Sequence, residues 1–560
     1  MTHWMKACSL AQLKERGVAA ASHDGRVAAI FAEGDRIFAV DNRCPHMGFP
    51  LTKGTLKNGI LTCHWHSWQF DASCGGCFTQ GGSAVASYRT EVRGGDVWVE
   101  LPAAGRDEAV ARWRRELDDG LDRFSTLRIA KAAYTLLDSG VPVSELIARG
   151  ADFGTRYRDE FTDGLSVMTA MANVVRDVPL PVDSRVLALV HGLRRVAEAI
   201  RETPHRRVKG GLPGTRASHE KRVEWFRAFV HDREEEAAER VLVSAIEDGA
   251  APARVESMLH AAIADHVFLD EGHVLDFTNK AFELLGHIGW SHAAAVLPTL
   301  IHEMCTGQRH EEDLAWKQPH DLVGIGRDAA KRMADSRRGD YDRDRFVATV
   351  LGDDPRAIGE ALVAAAGGTP VAELATAVAE AAAWRLARFH TRNEFGDWDT
   401  AHHALTTAEA LRRTAHRAPS PHVLPLLTDA AMDVFLGRFL NIPRHVLPHE
   451  RESAATVSIE EAIATRRPDD VTPAVYATRG EEGLVVRFVR AGLGEDHGFH
   501  GFQAIEYGVT LFRALAGRPH AWVALAAAAR YLASHSPTPR FVAQTVENAI
   551  KLQRGEMLHE

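Results

Sequence analysis

The chain has 560 residues, 45% of them hydrophobic and 25% charged, and 66 Lys and Arg against 75 Asp and Glu give a formal net charge of -9. That length exceeds one compact core and predicts a small domain joined to a larger body, while arginines scattered among carboxylates exclude the basic footprint of a nucleic-acid binder. No apolar run reaches the roughly 18 residues of a membrane span, and the opening MTHWMKACSLAQLKERG lacks the features of a secretory signal, so a cytoplasmic protein is expected.

From about residue 26 to 101 the stretches RVAAIFAEG, RIFAVDN, GILTCHWHSWQFD and TEVRGGDVWVELP read as short strands punctuated by Gly, Asn and Asp. They predict a small all-β domain over 1–103. Of six cysteines, four crowd between 44 and 77, too few for a disulfide scaffold and clustered as metal ligands would be. Cys44-Pro45-His46 forms a C-x-H loop, and after sixteen intervening residues Cys63-His64-Trp65-His66 forms a C-x-x-H loop.

This pair of loops is similar to that of the Rieske [2Fe-2S] proteins, and the ending SWQFDASCGGCFTQGGSAVASYRTEVRGGDVWVEL extends the resemblance over residues 1–103. The resemblance implies that Cys44 and Cys63 bind one iron and that His46 and His66 bind the other. Two departures stand out: Ser67 follows the second histidine where glycine is common, and Met47 precedes Gly48 where a basic residue is frequent. Neither loop carries the extra cysteine of the respiratory branch, so the likeness is to the ferredoxin and oxygenase branch. The alternative for these four residues is a mixed-ligand zinc site. Cys74 and Cys77 form a C-x-x-C that can signal a redox disulfide or zinc half-site, read here as a structural turn.

Residues 104–130 predict a linker helix and 131–560 an all-helical, His-rich domain, on stretches such as EEEAAERVLVSAIEDG and VAELATAVAEAAAWRLARF. Setting His273 over His402 aligns Thr278 with Thr407, Ala281 with Ala410, His287 with His416 and Leu297 with Leu426. This predicts an internal repeat of 240–305 over 365–435. The fold class expected is a multidomain chain: a small all-β Rieske domain, then a large all-α domain built from repeated helical hairpins.

The chain holds 29 histidines. In the predicted hairpins His266 closes one helix and His273 opens the next, His390 and His402 do the same in the second copy, and His497 or His500 opens a further helix. Histidines at helix starts are biased toward the neutral form that a metal needs. His266, His273, His390, His402 and His500 are therefore candidate ligands of a mononuclear Fe(II), with Asp397, Trp398 and Asp399 as candidates to orient the rings. Lys280 and Glu409 lie on the same helical stripes and are expected to pair. The helical histidine pairs and the stretch DWDTAHHALTTAEALR resemble the questin-oxidase-like non-haem iron oxygenases over about residues 240–520. In that family histidines and a modified lysine hold iron; no lysine of this chain is matched to it.

The fragment from Gly324 to Ala330 lacks the preceding strand of a dinucleotide site, and no P-loop, Gly-x-Ser-x-Gly elbow or HExxH motif occurs. Electrons are therefore expected from an external ferredoxin or reductase. The expected function is an oxidoreductase, a monooxygenase or dioxygenase, passing those electrons through the cluster to the helical iron for O2-dependent oxidation of a small organic substrate. Delivery requires docked domains or a head-to-tail homo-oligomer. Two other readings fit the same residues: a non-catalytic electron carrier or redox sensor whose helical domain binds a partner protein, and a hydrolytic zinc protein with the cluster as a redox gate.

Overall fold

The alternating stretches of the first hundred residues fold as a six-stranded antiparallel sheet in the order β1-β9-β8-β4-β3-β2, with a separate three-stranded sheet β5-β6-β7. The strands are β1 (Thr2–Ser9), β2 (Val18–His23), β3 (Arg26–Glu33), β4 (Arg36–Asp41), β5 (Thr55–Lys57), β6 (Ile60–Thr62), β7 (Gln69–Asp71), β8 (Ser87–Arg93) and β9 (Asp96–Pro102). They are seen in a computed structural model that describes residues 2–23, 26–79, 84–102, 106–157, 160–337, 339–451 and 454–556. The chain divides into two compact units, Met1–Pro142 with Gln544–Glu560, and Val143–Ala543. No helix among the described residues is long and apolar enough to cross a membrane.

In the first unit β3 is buried on both faces, which explains its unbroken apolar run. Ala29 and Phe31 pack with Phe38, Val40, Leu61 and Phe70 around Cys44 and Cys63, whereas Ala28 and Ile30 pack with Leu13, Val97 and Val99 on the other side. Asn58-Gly59 and Gly94-Gly95 turn the β5–β6 and β8–β9 hairpins at positive φ, as tight two-residue hairpin turns require. Glu33 accepts hydrogen bonds from both Asn58 N and Gly59 N, tying the small sheet to the end of β3.

Helix α1 (Leu10–Arg16) is capped by Ser9, whose side chain accepts from Gln12 N, and stops at Gly17. Past the sheet, α2 (Arg106–Asp122) and α3 (Thr126–Asp138) pack on each other. The region predicted as one linker helix over 104–130 is thus a helical hairpin reaching 138, inside the same unit as the sheet. Residues 544–553 are also helical and belong to this unit.

The second unit is helical, and eight of its helices matter for the site: α4 (Asp163–Asp177), α5 (Pro252–Ile263), α6 (His273–Ile288), α7 (Val371–Ala387), α8 (Asp397–Arg417), α9 (Val423–Leu436), α10 (Phe499–Ala514) and α11 (Trp522–Ser534). The predicted hairpins correspond to α5–α6 and α7–α8. Helices α4, α6, α8 and α10 close a ring, each packed on the next, with α7 and α9 against α8 and α11 against α10. The Ala-rich α7 is buried nearly all round, as a helix without a polar face must be.

The ring encloses charge rather than a purely apolar core. Lys280 donates to Glu283 at 3.1 Å and also to Glu506. Arg413 lies 2.8 Å from Glu283 and 2.6 Å from Glu506, and Asn173 donates to both carboxylates. The expected Lys280–Glu409 pair gives way to this network, and Glu409 instead accepts from Arg412 and from Thr510. The reason is the ring geometry: α10 brings Glu506 onto the Lys280 stripe, and a buried ammonium takes its nearest carboxylates.

Candidate metal centres

The two cluster loops share one backbone frame. Cys44 N donates to Phe49 O and Gly48 N to Cys44 O; in the second loop Cys63 N donates to Trp68 O and Ser67 N to Cys63 O. Within that frame the histidine shifts by one place, His46 in the first and His66 in the second, which produces the unequal C-x-H and C-x-x-H spacing. The His46 and His66 rings stand 4.6 Å apart. Trp68 stacks on His46 at 4.5 Å.

The donor set fits a [2Fe-2S] group. Cys44 and Cys63 are 3% and 1% exposed and form no disulfide. The Nδ1 atom of His46 is buried without a hydrogen-bond partner. Burial pushes the Cys44 thiol up to about 12, the Cys63 sulfur adding to the effect, so a cation is what makes thiolates tenable there. Burial likewise pulls His46 down to about 4, leaving it neutral and ready to ligate. His46 is partly covered while His66 is exposed. Cys74 is exposed, and the Cys77 sulfur lies 3.5 Å from Thr79 Oγ1, so the two form no disulfide.

In the helical unit, His273, His403 and His500 bring ligand atoms within 4.8 Å of one another. His273 is the first residue of α6, His403 lies in α8, and His500 is near the start of α10. The rings of His273 and His403 are 4.7 Å apart and those of His403 and His500 4.8 Å. His403 Nδ1 lies 3.0 Å from a Glu271 carboxylate oxygen, and His500 Nδ1 lies 2.9 Å from Gln503 Oε1. The Gln503 amide is oriented by Asp276, which accepts its N–H at 2.6 Å while also accepting the Tyr507 hydroxyl. Both Nδ1 atoms therefore donate, and the Nε2 atoms of His403 and His500 lie 3.3 Å apart, close enough to share a proton or a metal ion. Burial pulls His273 down to about 3, with His403 and His500 adding to it, and also lowers His500. Between two such buried nitrogens a cation must lie, either a proton carried by one ring or a metal ion.

The backbone that supplies Glu271 is strained. Phe268, Asp270 and Glu271 have φ of +46°, +51° and +53°, and Gly272 follows at +86°. Left-handed non-glycine residues cost on the order of 1–2 kcal/mol each. The segment is held by Asp270 N donating to Gln308 O and Glu271 N to His310 Nε2. Only glycine fits at 272, because a Cβ there would meet Thr407 Oγ1 at 1.9 Å. Hydrogen bonding from His403 holds Glu271 down at about 2. Beside it opens a cavity of about 500 Å3 lined by Phe268, Glu271, Trp316, His403, Asp433 and Leu436. Burial raises the Asp433 carboxyl to about 7.

Of the five predicted helical ligands, the structure brings together His273 and His500. His402 sits against them with its ring 5.4 Å from His500 and 4.3 Å from Tyr531, both nitrogens buried and unpartnered. His266 lies elsewhere, its Nδ1 held by Glu311 at 2.8 Å. His390 Nδ1 accepts from Arg392 N at 3.1 Å. The four-imidazole convergence of hairpin ends does not form among the described residues: His266 Nε2 is buried without a partner, and neither His266 nor His390 belongs to the histidine group. Asp399 accepts from Tyr531, Asp397 from Glu394 N, and Trp398 packs on Phe389, so none of the three hydrogen-bonds a ring of the histidine group. The residues sequence reasoning missed are His403, Glu271 and Gln503; the His402-His403 doublet was the available signal for the first.

A family model described as Rieske [2Fe-2S] domain matches residues 3–89. The chain is similar to the 4beta-methylsterol monooxygenase of Methylococcus capsulatus, 39% identical over 67 residues that make up 12% of this chain and 18% of that protein. It is also similar to the 3-phenylpropionate/cinnamic acid dioxygenase ferredoxin subunit of Shigella flexneri, 28% identical over 100 residues, 18% of this chain and 93% of that protein. Among solved structures, the ferredoxin of carbazole 1,9a-dioxygenase from Nocardioides aromaticivorans IC177 aligns at 25% identity with a TM-score of 0.16, covering 17% of this chain and 95% of that one. The chain spans less than a third of the length of the first curated relatives it matches, at 18%, 13% and 28%.

Proposed function

With residues 3–89 a Rieske [2Fe-2S] domain, an electron-transferring module, we propose that this chain is an oxygenase-type oxidoreductase. An external ferredoxin or reductase supplies electrons through the cluster held by Cys44, His46, Cys63 and His66 to a mononuclear iron held by His273, His403 and His500, for oxidation of a small organic substrate. The observation that carries the reading is the pair of Nε2 atoms 3.3 Å apart between rings whose Nδ1 atoms are already committed. His402, buried with two unpartnered nitrogens beside that pair, is the candidate for a fourth ligand.

Iron at this site would supply dioxygen activation, with electrons arriving singly from the cluster. The protein's part is to fix the rings: Glu271 and Gln503 set the His403 and His500 tautomers, and Asp276 holds Gln503. The cavity beside His403 receives the substrate against Phe268, Trp316 and Leu436. Asp433, whose carboxyl burial raises to about 7, is the candidate proton donor there.

Metal and sulfide analysis of the anaerobically purified full chain tests the reading. Iron in excess of the cluster's two, lost when His273 and His403 are both replaced by alanine while the Rieske spectrum persists, supports it. Two irons with two sulfides, unchanged in that variant, would leave an electron carrier or redox sensor; zinc in the helical unit would redirect the chemistry to hydrolysis.

A further inference from the structure

The Rieske loops of this chain meet a cation that comes from outside the matched residues 3–89. Lys131, on α3, is 8% exposed and donates to two backbone carbonyls of the first cluster loop, Pro45 O at 2.6 Å and His46 O at 3.0 Å. Among the described residues no carboxylate lies within 4.0 Å of its ammonium. The same two peptide groups are engaged at their other ends: the N–H of His46, which shares its amide with Pro45 O, and the N–H of Met47, which shares its amide with His46 O, both donate to the Cys44 sulfur.

The arrangement is therefore a pair of parallel paths, ammonium to carbonyl, through the peptide, and from N–H to sulfur. A cation on a carbonyl oxygen draws electron density along the amide and makes its N–H a stronger donor, so hydrogen bonds linked in series reinforce one another. A cluster with two ferric ions, two sulfides and two thiolates is neutral when oxidised and anionic when reduced. Positive charge and N–H···S hydrogen bonds favour the reduced form, and burial keeps the charge from being screened.

We propose that Lys131 sets the reduction potential of the cluster, holding it more positive through the Pro45–His46 and His46–Met47 peptide groups, so that the helical hairpin outside the Rieske module tunes the electron carrier. Lys131 is a positioning and tuning residue that acts through the carbonyls of Pro45 and His46.

The test is a redox titration of the full chain followed by the electron-spin resonance of the reduced cluster, with Lys131→Met, Lys131→Gln and Lys131→Arg. Cluster content is fixed in each by iron and sulfide analysis. The expected result is a midpoint shifted to more negative potential in the Met and Gln variants and restored toward the starting value by Arg, which keeps charge and donors. Gln keeps a donor without the charge, so its shift separates the electrical effect from mere loop support. A midpoint unchanged in cluster-loaded Met or Gln variants overturns the proposal. So does failure of both neutral variants to load a cluster, which would make Lys131 a loop anchor only.

Discussion

Gly48 and Ser67 occupy the same place in the two cluster loops: each lies four residues beyond its cysteine, each donates its amide to that cysteine's carbonyl, and each has positive φ, +74° and +58°. A serine in the left-handed region costs about 1 kcal/mol relative to glycine. Ser67→Gly is expected to stabilise the cluster-bearing unit by roughly 0.5–1 kcal/mol, read as a higher thermal midpoint with an unchanged Rieske spectrum. A midpoint that falls would mean that the Ser67 hydroxyl does more than tolerate its backbone. The reverse change, Gly48→Ala, adds a clash with Leu552 Cδ2 at 2.7 Å and should lower cluster content.

Glu271→Gln removes the carboxylate that fixes His403. Outer partners of metal-bound histidines are typically worth 10–100-fold in affinity. The variant should hold iron in its helical unit that much more weakly in a competition with a chelator, while cluster content stays constant. Equal affinity would sink the role assigned to Glu271.

Gly272→Ala combines a φ of +86° with a Cβ 1.9 Å from Thr407 Oγ1. A loss of at least about 2 kcal/mol is expected. Thr407 Oγ1 is buried without a partner, so Thr407→Ala alone should be nearly neutral. Combined with Gly272→Ala it should recover most of the steric part and leave roughly 1 kcal/mol of backbone strain. A double variant as unstable as Gly272→Ala alone would remove Thr407 from the account.

Asp429, on α9, is partly buried, and desolvation raises its carboxyl to about 8 although Phe268 N donates to it. The folded state thus keeps a proton that the unfolded chain releases near pH 4. Its contribution is fully present below about pH 4 and is lost as pH rises toward 8, with a slope of up to about 1.4 kcal/mol per unit. Asp429→Asn, neutral throughout and still able to accept from Phe268 N, should gain on the parent as pH rises from 5 to 8 in denaturation midpoints. Parallel pH profiles would show that Asp429 is already ionised in the fold.

The cluster loops are legible in the sequence because each is a local device, six residues closed by hydrogen bonds to its own cysteine. The helical centre is legible only in part. His402 and His403 point about 100° apart on one helix, and which of them meets His273 and His500 depends on how α6, α8 and α10 pack, a long-range fact. Glu271 escapes notice because its backbone sits in a conformation that no local preference favours. Lys280 shows the converse limit: the stripe it shares with Glu409 was readable, but Glu506, contributed by a helix more than two hundred positions away, takes the ammonium. Lys131, an ordinary lysine in a helical text, carries no motif at all.

The packing of Leu552 under Gly48 also sets a timetable. At ordinary ribosomal speeds Leu552 emerges roughly 25 to 100 s after Gly48, and through that interval Cys44 and Cys63 stand in a loop that lacks its final wall. Iron and sulfide delivered within that interval would find an incomplete cradle, whereas delivery after Leu552 has emerged meets a finished one. Maturation of the cluster is thereby tied to synthesis of the segment that carries Leu552.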